Sequence, residues 1–214
     1  MTQQRRSSEI VVEVWGDYAC ITRPECKVER MTYSVLTPSA ARGILSSIFN
    51  KPREFYWQVK RIEILKPIKR MTIVRNEIKN GVVQIGKPIS IESERTQRQT
   101  EVLRDVRYRI VAEIVERDDC LKDIKGLYKQ AKDRIHKGKC FQQPYFGLRE
   151  YVCYFEGATD MEPVDVNFEE LMLYDVYNIE ETDPTKIAIS LYKAKVEHGV
   201  LQVPRYEDNR VLKV

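Results

Sequence analysis

The chain has 214 residues, 43% of them hydrophobic and 32% charged, with a formal net charge of +4. That length fits one large domain or one domain with a small appendage, and no apolar run is long enough for a membrane-spanning helix. Five cysteines without a C-x-x-C pair and only two histidines argue against a disulfide framework and a zinc knuckle, so no metal and no cofactor are expected. The N-terminal MTQQRRSSEIVVEVW passes from two arginines directly into strand-like alternation, so no signal peptide is read and a cytoplasmic location is expected.

SEIVVEVWG alternates and reads as an opening strand ending at Gly16; the loop DYACITRPECKVERMTY follows, carrying Arg23, Lys27 and Arg30. TPSAARGILSSIFNKP is a helix with Thr37 as its N-cap, Pro38 in its first turn, apolar spacing through Ile44, Leu45 and Ile48, and a stop at Pro52. EFYWQVKRIEILKPI is a long strand with Phe55, Trp57, Val59 and Arg61 on one face, and KRMTIVRNEI is the next. The polar stretch from Lys79 to Glu101 reads as a hairpin turn at Asn80-Gly81 and then a loop. DVRYRIVAEIVE alternates Val106, Tyr108, Ile110, Ala112 and Ile114 against charged positions, the clearest half-buried strand. A basic helix from about Asp118 to Lys137, stopped by Gly138, leads to the strand REYVCYFE.

This order predicts an α+β, ferredoxin-like split βαβ domain over 1–156, with a hairpin insertion near 69–100. After Gly157 an acidic connector precedes LMLYDVYNI and KIAISLYKAKVEHGVLQVPR, read as three antiparallel strands with a tight turn at His198-Gly199, a small antiparallel β domain over 157–214. The charge divides at the same point. Residues 157–214 carry 6 Lys and Arg against 12 Asp and Glu, leaving 30 against 20 in residues 1–156. A basic body suits a polyanion.

No P-loop, nucleophile-elbow or paired-histidine metal pattern is present, which removes most familiar enzyme classes. A lysine-bearing helix alone is ordinarily solvated surface. Here Lys125, Lys129, Lys132 and Lys137 stand beside Phe141, Tyr145 and Phe146, with Arg42 and Lys51 contributed by the first helix, a pattern of cations and rings that suits RNA. Cutting RNA without metal needs a base for the 2′-OH, a donor for the leaving 5′-oxygen and a cation for the phosphate. Tyr128, Lys125, Lys129 and His136, on successive turns of one helix, are the candidates. Tyr128 and Lys125 are expected to lead, and His136, about two turns further on, to matter less.

Several segments together, VWGDYACITRPECKVERMTYSV, PSAARGILSSIFNKP, RQTEVLRDVRY and KGKCFQQPYFGLREY, resemble the subtype-d Cas-five proteins of type I-C CRISPR systems, over nearly the whole chain. The resemblance implies a ferredoxin-like RAMP domain with a small C-terminal β domain and metal-independent cutting of precursor CRISPR RNA within its repeat. It also implies retention of the 5′ handle on the mature RNA, and assembly with the backbone and large subunits of the interference complex. Arg23, Lys27, Arg30 and Arg149 are expected to hold the handle. The family's tyrosine at the end of the first helix falls on Phe49, and its Lys-His pair on Gly126 and Leu127, so substitute groups must cut, or the chain is a non-catalytic handle-binding assembly subunit.

Overall fold

The computed structural model describes residues 9–26, 28–79, 90–118, 120–121, 123–179 and 187–213. The elements in chain order are β1 (Glu9–Ala19), α1 (Pro38–Ile48), β2 (Phe55–Ile64), β3 (Arg70–Ile78), the single turn α2 (Ile91–Glu94), β4 (Arg95–Glu116) and α3 (Ile124–His136). They are followed by β5 (Tyr154–Gly157), β6 (Phe168–Tyr177), β7 (Ile187–Glu197), β8 (Val200–Gln202) and β9 (Val211–Lys213). The fold is mixed α/β around one antiparallel sheet in the order β5-β1-β4-β2-β8-β7-β6, with β3 added to β4 and β9 to β7.

Local chemistry accounts for most of these elements. Thr37 caps α1 in an extended conformation, its hydroxyl accepting the Ala40 amide at 3.1 Å, and Pro38 opens the first turn, where a missing N–H costs nothing. In β2 the buried set shifts from Phe55, Trp57 and Val59 to Ile62 and Ile64. A β-bulge between Val59 and Arg61, opposite Ala112 and Val111, moves the side-chain phase by one and explains why the strand's alternation is imperfect in sequence. Gly138 ends α3 at φ +61, as its position predicted.

Three expectations are corrected. The polar residues from Arg95 to Glu101 are not loop but the first third of the 22-residue β4, paired with β3 from Ile78↔Arg95 to Arg70↔Leu103; cross-strand pairing overrides their weak strand propensity. The Asn80-Gly81 turn lies outside the described residues. Helix α3 starts at Ile124 rather than Asp118, because the Glu54 carboxylate takes the Leu121 amide at 3.0 Å and ties that approach to the start of β2. The strand expected across Arg149–Glu156 is confined to β5, since residues 146–151 form a turn in which the Phe146 amide donates to the Tyr151 carbonyl at 2.8 Å and the Tyr151 amide to the Leu148 carbonyl at 2.9 Å.

The strands after Gly157 join the same sheet, β8 pairing β2 at Arg61↔Gln202, Ile62↔Leu201 and Glu63↔Val200. The His198-Gly199 turn that connects β7 to β8 has both residues at positive φ. The connector before β6 is held by Glu13, a fully buried carboxylate on β1. It accepts from Arg107 and Arg109 of β4, each with one contact at 2.8 Å, and from the Thr159 amide at 2.8 Å. Burial opposes its charge, but the amide and the two guanidiniums outweigh that and hold the carboxyl below its ordinary range.

Gly147 closes the turn that carries Arg149 against β1, where the Cys20 amide bonds the Phe146 carbonyl at 3.0 Å. Its φ is +81, and a Cβ there would stand 1.9 Å from the Cys20 carbonyl oxygen. Gly147→Ala is expected to cost about 2 kcal/mol or more, read as a lowered midpoint in urea unfolding; an unchanged midpoint contradicts this packing.

Candidate nucleic-acid interface

The C-terminal ends of α1 and α3 are built against each other. The carbonyls left over at the end of α1 are taken by α3 and the turn after it. Arg134 Nε donates to the Ile48 carbonyl at 2.7 Å, and the Phe141 and Gln142 amides donate to the Ser47 carbonyl at 2.7 and 3.2 Å. This capping fixes two adjoining grooves. One, of about 380 Å³, lies between Phe49–Lys51 and the Gln130, Asp133, Arg134 and Lys137 face of α3. The other, of about 430 Å³, runs along the small residues Ser39, Gly43 and Ser46 of α1 toward Tyr145. Asn50 and Phe141 belong to both.

Phe141 is 80% exposed, whereas Phe146 is fully buried. A ring so exposed contributes little to the core and stands free among cations. Lys51 lies 5.5 Å from the Phe49 ring and donates to Gln130 at 3.1 Å. Lys137 and Lys139 complete the basic rim.

On α3, Lys125, Lys129, Lys132 and His136 recur at i, i+4, i+7 and i+11 and are all exposed, so they form one cationic stripe within roughly 60° of arc. The groove face, through Gln130, Asp133, Arg134 and Lys137, is centred about 120° round the helix from that stripe; Arg134 and His136 occupy the last turn and suit its negative dipole. His136 is exposed at the C-terminal end of α3, and Lys125 lies about 16 Å up the helix.

Tyr128 does not belong to this surface. It is 6% exposed, and its hydroxyl accepts the Ile114 amide of β4 at 2.9 Å. Burial pushes its phenol further above its ordinary range. The helical positions 127, 128, 131 and 135 are the core stripe, and Tyr128 falls on it, so its expected role as a proton carrier is replaced by a structural one. At the positions the resemblance assigns to catalysis, Phe49 is 6% exposed and stacks on Phe55, Leu127 is fully buried, and Gly126 carries no side chain.

The other expected RNA contacts separate. Arg42 points to Asp175 of β6, a buried carboxylate raised by burial despite the guanidinium, so Arg42 is a tie between α1 and the C-terminal strands. Arg23 is likewise bound to Glu170 of β6 at 2.5 Å and lies over the Tyr33 ring. Both corrections have one cause: the acidic C-terminal strands neutralise part of the basic body. Lys27 lies outside the described residues. Arg149 is exposed, and Arg30 pairs with Glu77 at 2.9 Å. Sequence reading missed Arg75 and Arg98, which face each other across the β3–β4 ladder; the loop reading of 95–101 hides that register. Among the described residues no three His, Cys, Asp or Glu side chains gather as a metal site, and no helix is long and apolar enough to cross a membrane.

Tyr128→Phe removes the acceptor of a buried amide and is expected to lower stability by about 1–3 kcal/mol in urea unfolding. A stability equal to the parent's returns Tyr128 to the list of surface groups.

The family described as CRISPR-associated protein (Cas_Cas5) matches residues 9–204. A protein of Thermus thermophilus is 35% identical over 213 residues, 92% of each chain, and one of Mannheimia succiniciproducens is 36% identical over 223 residues, 94% of this chain and 96% of the relative. Both are named CRISPR pre-crRNA endoribonuclease Cas5d. A crystal structure of a CRISPR-associated protein superposes with a TM-score of 0.70 at 21% identity, covering 96% of this chain and 97% of the other. A functionally uncharacterized protein of Streptococcus mutans gives 0.68 at 19% identity with the same coverage. These two structures speak to the fold.

Proposed function

Because the chain belongs to the Cas5d family of CRISPR-associated proteins, we propose that it is a pre-crRNA endoribonuclease that holds repeat RNA across the ends of α1 and α3. The observation that carries this reading is the exposed Phe141 ring set between Lys51, Arg134, Lys137 and Lys139. A base stacks on any π-face while lysine and arginine neutralise the adjoining phosphates, which is the chemistry of single-strand binding. Lys125 and Lys129 extend the cationic track along α3, and Arg30 and Arg149 serve the 5′ handle.

In the proposed reaction a base removes the proton of a ribose 2′-OH and the 2′-oxygen attacks phosphorus. The bond from phosphorus to the 5′-oxygen breaks, and that oxygen takes up a proton. One fragment ends in a 2′,3′-cyclic phosphate and the other in a 5′-OH. His136 is the proton-transfer group, and Arg134 and Lys137 face the charge that accumulates on the phosphate. Arg134 is already oriented by its bond to the Ile48 carbonyl, so little is lost in placing it.

A ferredoxin-like reading of the first part, extending over 1–156, is supported by the order β5-β1-β4-β2 with α1 and α3 as its crossovers. Residues 157–214 are the appended β unit, and the protein works in the cytoplasm with mature CRISPR RNA and the backbone and large subunits of an interference complex. A second reading, a non-catalytic subunit that binds the handle, is favoured by Phe49, Gly126 and Leu127 at the family's catalytic positions.

The test is incubation of the purified protein with its cognate repeat RNA. A discrete product in EDTA, abolished by a 2′-deoxy substitution at the scissile nucleotide, is expected; an intact but tightly bound repeat selects the second reading. His136→Ala is expected to slow cutting on the order of 10²-fold with binding nearly unchanged. Phe141→Ala is expected to weaken binding by about 1–3 kcal/mol, measured by fluorescence anisotropy. Parental binding by Phe141→Ala removes the groove as the site.

A further inference from the structure

Arg75 of β3 stands directly opposite Arg98 of β4. Like charges at directly opposed positions cost stability, so a ladder that keeps them needs something to neutralise them. A third guanidinium joins from the loop after β1. The Arg30 carbonyl accepts the Glu101 amide at 2.8 Å, and Arg30 bridges to Thr100, which seats its backbone on β4 within reach of the pair. The three arginines share two carboxylates. Glu77 takes Arg30 at 2.9 Å and Arg98 at 3.4 Å, and Glu150 lies 2.7 Å from Arg75 Nη1.

That sharing is incomplete in two ways. Three positive charges meet two negative ones, and Arg75 Nη1 is close to Glu150 without an aligned hydrogen bond, leaving a buried donor unsatisfied among the described residues. All three guanidinium side chains keep partial solvent contact, at 28%, 31% and 28% for Arg30, Arg75 and Arg98. Beside them the rings of Tyr18 and Tyr151 lie 6.0 Å apart, with Tyr18 exposed and Tyr151 in electrostatic reach of Arg75, Glu150 and Arg30.

We propose that Arg30, Arg75 and Arg98 form a phosphate-binding site for single-stranded RNA that is self-occupied by Glu77 and Glu150 until phosphodiesters displace them. The site rests on the RNA-handling reading above and lies outside the groove between α1 and α3. Phosphate oxygens accept guanidinium N–H donors in the same forked geometry as carboxylates, so the exchange keeps every arginine partnered. Two adjacent phosphates supply the charge that the two glutamates now provide. The exposed Tyr18 ring offers a face to the base between them. The glutamates also act as a filter: an isolated anion must compete with a tethered carboxylate, whereas a polyanion that engages all three arginines gains enough to win.

The experiment is anisotropy of labelled single-stranded cognate repeat RNA across a salt titration, on the full chain. Arg75→Gln and Arg98→Gln are each expected to flatten the log–log salt slope by about 0.7, the contribution of one single-strand phosphate contact. Glu150→Gln and Glu77→Gln are expected to act in the opposite direction, raising affinity about two- to five-fold, the range spanned by a partly exposed ion pair. Melting temperatures of the four variants check that they fold. Opposite signs for arginine and glutamate variants establish the site. Parental slopes in both arginine variants, or weakened binding in the glutamate variants, overturn it while leaving the RNA reading intact. Preference for duplex DNA of the same sequence overturns the assignment to single-stranded RNA. No binding by the parent overturns the RNA reading and this site together.

Discussion

The uninterrupted backbone of β4 is the constraint on which the other elements depend. Over 22 residues it hydrogen-bonds β3 along its first part and β1 and β2 on opposite edges of its second part. Where the partners change, Asp105 adopts φ 56, and its carboxylate is bound by Lys66 at 2.5 Å and Lys69 at 3.4 Å. This one left-handed residue lets the strand leave the sheet as half of a ribbon without a break in the chain. Because α3 follows β4 and is anchored to it through Tyr128 and Ile114, the position of β4 also sets where the basic helix end meets α1.

Charge is distributed by the same architecture. The body's excess of cations does not all face solvent: Arg23 and Arg42 are bound by Glu170 and Asp175, while Arg107 and Arg109 surround Glu13. Replacing such pairs by apolar residues is often neutral for stability, so their presence says more about register than about strength. Arg42 and Asp175 fix α1 against β6, and Glu13 fixes the connector that leads to β6. Among the described residues, the cations outside these ties include the exposed lysines of the α3 stripe and Lys137 and Lys139 at the groove. Net charge alone therefore overstates the surface available to a polyanion, and position within the fold identifies the part that remains.

The periodicity of the chain made the core strands and both main helices legible, because alternation in residues 105–116 and the cap, proline and apolar spacing of residues 37–48 are local signals. Tyr128 shows where local reading fails. Its hydroxyl and its place on a basic helix suggested surface chemistry, yet it shares the buried stripe with Leu127, Ala131 and Ile135, and a phase error of one residue decides between proton carrier and core. The Arg75–Arg98 pair was hidden for a different reason. Residues 95–101 are rich in Arg, Gln and Thr, and only pairing with β3, a contact distant in sequence, makes them a strand. The grooves were half legible: the cations and Phe141 stood together in sequence, but the Ser47 and Ile48 carbonyls that seat them on α1 did not.

The same geometry bears on why a tyrosine position can hold phenylalanine here. The Phe49 ring stacks on Phe55 and lies 5.5 Å from the Lys51 ammonium, and its own carbonyl accepts the Trp57 indole at 2.9 Å, so the residue works as a wedge between α1 and β2. A hydroxyl on that ring is not required for the wedge, nor is one available for chemistry. In the proposed reaction the proton-transfer group is therefore a side chain other than Phe49. The end of α3 carries His136, an exposed imidazole. Under the proposed function the aromatic packing at Phe49 is kept, and the proton-transfer role falls to the exposed end of α3 rather than to the packed ring.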